Sequence, residues 1–469
     1  MHDLTKGSIT GHIINMAVFI GLGLVFQTVY FLVDLYFVAH LGSWAIAGVS
    51  AAGVSSFLVM GASQLVAVGA MALIAQAAGR KDREAANLVS GQALSLSATF
   101  SVATLVLGYT FGAMATQTVS ADAQTSVAAR AYLFAYLPSL ALMFPVAALG
   151  SALRGAGVVR PTMMLQTLTV ILNVVLAPVL IAGWGTGRPL GVMGAGLATT
   201  IAVACGFIVL WAIFPRVQKF IALERRTMAP RLSEWGRIVG IGLPAAGEFI
   251  LMFVIFAVVY WVIRHFGPHA QAGFGVGMRI MQSIFLPVMA VAFAAAPIAG
   301  QNFGAGLAER VRYTFRDAAL ICAALMLVMT LFTQWRPEML LAPFTSDAQA
   351  LAYAADYLRI VSWNFVASGV VFTCSSMFQG LGDTRPSLLA SASRLLTFMA
   401  PAIALAVSGG LDVFGMHVPF TLHTIWILSV ASVYLQMLLA VALLRRQLKV
   451  KLKDLAPRAA ATPAPVAAE

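Results

Sequence analysis

"HLGSWAIAGV" at residues 40–49 returns in altered form as "HFGPHAQAGF" at residues 265–274. His, Gly, Ala, Ala and Gly recur in the same order, each displaced by 225 positions. The echo runs outward from there. "IAQAAG" (74–79) answers "AGQNFG" (299–304), with Gln76 over Gln301 and Gly79 over Gly304, and Glu84 then falls over Glu309. "RGAGVVRP" (154–161) answers "QGLGDTRP" (379–386), keeping both glycines and the Arg-Pro pair. No gap is needed from Phe19/Pro244 to Pro161/Pro386, so the chain is written as two copies of one plan.

What each copy builds follows from composition. The 469 residues are 60% hydrophobic and 10% charged, with a mean hydropathy of +0.90. A soluble chain carries about twice that charged fraction. Apolar stretches of roughly 20–30 residues follow one another, each long enough to cross a hydrocarbon core about 30 Å thick. In lipid each must satisfy its own backbone, which makes them helices. Twelve spans are expected, at 13–39, 46–78, 86–116, 125–153, 161–183 and 190–214, then 238–263, 271–303, 312–334, 352–379, 386–408 and 417–444. The first is too long for a signal peptide and is expected to stay as a helix. The fold class is therefore an all-α polytopic membrane protein.

Six spans per copy return the chain to its starting side, so the halves are parallel repeats related by an axis along the membrane normal. The expected organisation is an N-lobe at 1–213, a basic connector at 214–237, a C-lobe at 238–448 and a disordered Ala/Pro tail at 449–469. The net charge of +12 does not imply a nucleic-acid partner, because 22 of the 29 Lys and Arg fall on the side carrying both termini. That is the positive-inside bias, and it places both termini in the cytoplasm. Cys205, Cys322 and Cys374 all fall within spans without paired spacing, so neither a disulfide framework nor a metal site is expected. "HLG" and "HFG" end the first span of each half, where glycine can close a helix in the left-handed conformation. "GQNFGAG" lacks the Lys-Ser/Thr of a phosphate loop.

Acidic residues well inside the spans are confined to Asp34 and Glu248. A carboxylate at that depth faces a cavity or a partner. Burial also favours its protonated form, which suits a proton-coupled machine. Gln27, Tyr30 and Asp34 stand at i, i+3 and i+7, one polar stripe on an otherwise apolar helix. Gln166, Thr169 and Asn173 repeat the spacing in the fifth span, and Thr199 or Thr200 can add a hydroxyl from the sixth. A hydrogen-bonded site enclosed by the first half is expected, with Asp34, Asn173 and Thr199 coupling the ion. Glu248, one turn after Pro244, is expected to hold the substrate or a second proton, with Gln27 and Tyr30 as further contacts. Its alternative role is an ion pair with Arg279 or Arg394, the basic residues deep in spans. Tyr30, Phe31, Phe253, Phe256, Tyr260 and Trp261 are candidates for an aromatic cavity.

The ordered set "TKGSITGHIINMAV", "FQTVYFLVDLYFVAHLG", "RGAGVVRPTM", "GQNFGAG" and "QGLGDTRPS" resembles the multidrug and toxic compound extrusion transporters, and most of all their DinF-like prokaryotic branch. The likeness covers residues 5–445. It implies twelve helices in two six-helix lobes that export organic cations, often drugs or dyes, in exchange for protons or sodium. It also implies ion-coupling roles for Asp34 and Asn173. The chain departs from that pattern at Ala177, where the branch has a second aspartate, and at Met252, where other branches place the seventh-helix glutamate.

The expected function is a secondary active antiporter of the inner membrane, working by alternating access as a monomer on a small organic cation. No cofactor beyond the ion gradient is expected, and no metal. A lipid-linked precursor flippase of the same superfamily is the nearer alternative, although those proteins carry a strongly cationic cavity. A membrane-embedded enzyme would need clustered catalytic side chains, which the sequence does not offer.

Overall fold

The computed structural model describes residues 2–119, 122–185, 187–341, 344, 347–413, 416–453 and 455; the side chains of Tyr30, Phe31, Asp34, Leu35, Ser43, Ala51 and Val54 lie outside that description. The first half forms six helices: α1 (Ile9–Ala39), α2 (Ser43–Arg80), α3 (Arg83–Val119), α4 (Ala123–Gly155), α5 (Arg160–Ile181) and α6 (Gly191–Val217). The second half forms α7 (Leu232–Ile263), α8 (Pro268–Gly304), α9 (Ala308–Trp335), the short α10 (Pro337–Leu341), α11 (Ala348–Val361), α12 (Asn364–Gly380), α13 (Arg385–Arg394), α14 (Ala400–Ser408) and α15 (Leu422–Lys453). Among the described residues eleven helices are long and apolar enough to cross a membrane, and twelve spans result when the bent pair α11–α12 is counted as one.

The tenth span is broken. α11 and α12 meet at 58°, where Ser362 and Trp363 interrupt the helix. The eleventh carries a π turn at Leu395–Met399 between α13 and α14. Pro401 follows in the first turn of α14, and its missing N–H breaks the regular bonding ladder at that point. The twelfth begins at Leu422 rather than 417. Residues Met416–Pro419 pair as a strand with Gly410–Val413, and Pro419 sits opposite Gly410 in an antiparallel register. An apolar run looks alike in strand and helix, which is why the sequence reading extended the helix through it.

Gly42 and Gly267 also act differently from expectation. Their φ values are 115° and 90°, but their ψ values of 171° and 175° are extended, so they start α2 and α8 rather than close the preceding helix. Only glycine adopts that combination without strain.

The connector is shorter than 214–237, because α6 continues to Val217 and α7 starts at Leu232. It docks on α3, where Gln92 donates to the carbonyls of Thr227 and Ala229 and accepts from the Arg231 N–H. α15 runs past 449 to Lys453, and the rest of the tail, from 456 onward, lies outside the described residues.

Each half has its own apolar core, one around Ile74, Leu149 and Phe214, the other around Phe274, Leu358 and Trp426. The halves meet mainly through α1 with α8 and α2 with α7 and α8, near the end that carries the termini and most of the basic residues. There Gly79 lies against the Gln301 carbonyl and Gly304 against the Gln76 carbonyl, so close that a Cβ at either would overlap the facing oxygen. The N-terminal segment is drawn into the same seam. His2 N–H donates to Ala156 O at 3.0 Å, Leu4 N–H donates to Gln301 Oε1 at 3.0 Å, and Arg310 donates to the carbonyls of Leu4 and Gly7.

Candidate functional site

The polar site of the first half forms where α5 meets α6. Asn173 is fully buried, and its Nδ2 donates to Thr199 Oγ1 at 3.5 Å. The Thr199 hydroxyl spends its own hydrogen on Ala195 O, one turn back, at 3.2 Å. Asn173 Oδ1 has no hydrogen-bond partner among the described residues. A buried amide oxygen with no donor among the described residues is a position a proton or cation can occupy. Two other expected members are committed elsewhere. Thr169 donates within its own helix, and Thr200 donates to Ala135 O of α4 at 2.6 Å. One turn after Asn173, Ala177 is fully buried and adds no oxygen.

The Asp34 and Tyr30 side chains lie outside the described residues, but their positions on α1 are fixed by helix geometry. Gly21 of α1 lies against Ala290 of α8, which marks the face turned to the second half. Positions 27, 30 and 34 fall about 180–240° round the helix from Gly21, on the side away from that seam. Gln27 is half-buried there.

Glu248 of α7 is half-buried and is held by three serines from two other helices. Ser387 Oγ donates to Oε2 at 2.8 Å, Ser375 Oγ to the same oxygen at 3.0 Å, and Ser391 Oγ to Oε1 at 3.0 Å. Ser375 and Ser387 are themselves 2.7 Å apart, and Gln436 of α15 donates to Ser391 at 3.2 Å. Four helices thus converge on one carboxyl group. Hydroxyls both donate and accept, so this nest can solvate an ionised carboxylate or turn one oxygen towards a protonated one.

The alternative ion pair does not form. Arg394 reaches Ser429 at 3.5 Å and stands over the Phe398 ring at 5.4 Å. Arg279 is exposed. Sequence reasoning missed the serines. Ser387 and Ser391 are one turn apart immediately after the repeated Arg-Pro, a spacing that does mark one helix face, but nothing in it points to residue 248.

Tyr30 and Phe31 lie outside the described side chains, and among the described candidates the aromatic rings do not gather into one cage. Phe253 faces Phe57 of α2 at 4.5 Å, Tyr260 faces Phe274 at 5.0 Å, and Trp261 faces His265 at 5.3 Å. His40 and His265 each donate a ring N–H to a carbonyl of the preceding turn, as helix-end anchors do. All three cysteines are free thiols. Among the described residues no group of three His, Cys, Asp or Glu could hold a metal ion.

The repeat and the fold have close counterparts. A family model described as MatE matches residues 20–179 and again 244–403, once in each half. Of the curated relatives, the "Multidrug export protein MepA" of Staphylococcus aureus is 23% identical over 441 residues, covering 92% of this chain and 94% of the relative. The "FAD transporter" of Shewanella oneidensis is 22% identical over 412 residues, covering 86% and 89%. The "Probable multidrug resistance protein NorM" of Thermotoga maritima is 25% identical over 382 residues, covering 80% and 81%. Among solved structures, a MATE transporter in complex with MaL6 superposes with a TM-score of 0.87 at 21% identity, covering 96% of this chain and 99% of that one. A MATE family transporter in its outward-facing conformation superposes with a TM-score of 0.86 at 22% identity, covering 96% and 98%. The chain belongs to the MatE family: it is a multi-pass membrane transporter and not an enzyme.

Proposed function

We propose that the protein exports small organic solutes, organic cations foremost, in exchange for protons, as an inner-membrane antiporter with both termini in the cytoplasm. The positive-inside bias assigns the basic end to the cytoplasm. The contacts between the halves then lie on the cytoplasmic side, and rocking one half against the other exchanges which side is closed.

The observation that carries the exchange reading is the three-serine nest around Glu248. A carboxyl group solvated in either protonation state can take up a proton facing out and release it facing in, without leaving a charge bare in the interior. In the first half Asp34 is the matching acid. Its proton would be shared with the Asn173 oxygen, which has no partner among the described residues, with Thr199 holding the amide in register. Both acids belong to faces or nests within a lobe, so protonation biases helix packing in that lobe and thereby the substrate gap. Sodium is the alternative ion, and neither a cofactor nor a second protomer has a role in this scheme.

A second reading, cargo carrying negative charge, has one observation of its own in the exposed Arg279. One relative is moreover named an FAD transporter, and FAD carries a diphosphate. The test is uptake of the organic cation ethidium into proteoliposomes under an imposed proton gradient, then a sodium gradient. Proton-driven uptake that is lost in both Asp34→Asn and Glu248→Gln is expected. Ethidium movement that ignores the proton gradient would refute proton exchange.

A further inference from the structure

α8 shows one face to the first half from Ala290 to Gly304. Towards the basic end Gly304 and Gly300 meet α2, and three turns further Ala290 meets Gly21 of α1. Arg279 lies eleven residues before Ala290, a spacing that returns a helix to within about 20° of the same direction. It therefore continues the interlobe direction into a stretch where residues on the facing sides of α1 and α8 are exposed. Both surfaces are open at that level. Arg279 and Gln282 are exposed on α8, and Val25, Thr28 and Leu32 are exposed on α1, with Leu32 at 61%.

The other seam, between α2 and α7, is bridged at this depth by an aromatic pair. Phe57 is the 225-position counterpart of Gln282, and its ring packs at a tilt against Phe253 of α7, 4.5 Å between centroids. One seam thus carries an aromatic contact, and the other a guanidinium with no carboxylate partner among the described residues.

Arg279 lies about 16 Å along the helix from Pro268, well inside the span. A fixed charge at such depth is retained where it faces a partner or a water-filled cavity. Among the described residues no carboxylate pairs with it. The exposed residues on the facing stripe of α1, Val25, Thr28 and Leu32, are uncharged, and Glu248 is bonded by its serines. Ser283 is committed to the Arg279 carbonyl at 3.1 Å, which leaves the Gln282 amide as the neighbouring donor. Snorkelling to outer headgroups is the ordinary explanation for an arginine in a span, but it suits a lipid-facing surface, and this face is the one that meets the other half.

We propose that Arg279, with the Gln282 amide one turn on, is an anion-recognising subsite in the gap between the halves, so that the cargo includes solutes bearing a carboxylate or phosphate beside an apolar body. This rests on the export reading above and widens its substrate class from cations to zwitterions and anions. The guanidinium supplies a planar fork matched to such groups, and the Val25–Leu32 stripe supplies an apolar wall.

The test uses the purified full chain in phosphatidylcholine vesicles, with carboxyfluorescein as the anionic probe and ethidium as the cationic one. Equilibrium binding is read by fluorescence anisotropy, and uptake is followed separately. Arg279→Gln is expected to weaken carboxyfluorescein binding tenfold or more, Arg279→Lys to restore part of it, and ethidium binding to stay within twofold in both. Retained ethidium binding also reports that the variants are folded. Binding of carboxyfluorescein without uptake of either dye would sink the export reading and leave the anion subsite standing. No carboxyfluorescein binding by the parent, or equal binding by Arg279→Gln, would overturn the subsite. A final arm adds phosphatidylglycerol: displacement of the dye from the parent would reassign the guanidinium to a lipid headgroup and overturn the cargo proposal, whereas unchanged binding supports it.

Discussion

Gln76 and Gln301 make the same bond in opposite directions. Gln76 Nε2 donates to Gly380 O at 3.1 Å, and Gln301 Nε2 donates to Gly155 O at 2.9 Å. The donors are 225 positions apart, and so are the acceptors. Each bond crosses from one half to the other, as contacts about a two-fold axis must. The repeated phrases "IAQAAG"/"AGQNFG" and "RGAG"/"QGLG" therefore meet one another at the basic end.

This reciprocity predicts that both amides stabilise the closed basic end, Gln301 the more because its Oε1 also accepts from the Leu4 N–H. Gln76→Leu should weaken closure by about 1 kcal/mol, the usual net worth of one such bond, and Gln301→Leu by at least as much. That corresponds to roughly a fivefold shift in the open fraction. Spin-label distances across the basic end would check it, and an unchanged distribution in both variants would count against the latch.

Gly79→Ala and Gly304→Ala make a harsher test of the same surface. A methyl group at either position overlaps a backbone carbonyl of the opposite half, which no side-chain rotation relieves. Both variants should insert and fold, because each lobe keeps its own core, yet they should hold the basic end apart. The expected result is loss of transport with a wider spin-label distance there; normal transport in both would contradict the close approach.

Around Glu248 the serines should matter individually and jointly. Ser387→Ala and Ser391→Ala each remove one donor to the carboxylate, while Ser387→Thr keeps the hydroxyl. Proton-driven ethidium uptake should fall severalfold in each alanine variant and remain near the parent's in Ser387→Thr. The double alanine variant should approach Glu248→Gln. Full activity in the double variant would remove the nest from the mechanism.

Asp347, away from the spans, caps α11 and lies 2.7 Å from His269. The hydrogen bond from His269, with those from the Gln349 and Ala350 N–H groups, holds its carboxyl below the usual aspartate range. A carboxyl with a depressed folded pKa contributes stability above its unfolded pKa, and that contribution is lost as pH falls through the folded value. Asp347→Ala should therefore lower the Tm in detergent at pH 7. The gap from the parent should close as pH drops below 3.8, the ordinary aspartate value. A gap independent of pH would point to packing instead.

Much of this was legible before any coordinates. The twelve spans, the two halves and the stripe at 27, 30 and 34 follow from apolar length, a fixed offset and helical spacing. Local chemistry without apolar contrast was not legible. The hairpin at 410–419 reads as more apolar chain, and the kink at Ser362 and Trp363 has no proline to announce it. The Glu248 nest was hidden for a different reason. Ser375, Ser387 and Ser391 are ordinary serines more than a hundred positions away, and only the packing of α7 against α12 and α13 brings them to the carboxylate. Arg279 could be read as buried or paired, and only the structure shows it exposed.

The most direct test of proton exchange is to let the substrate move the protons. Proteoliposomes holding a lumenal pH reporter, clamped at zero potential, would receive ethidium outside with no initial pH difference. The account predicts that ethidium entry makes the lumen more alkaline, and that Asp34→Asn and Glu248→Gln abolish this response. Ethidium entry with an unchanged or acidified lumen would contradict the exchange.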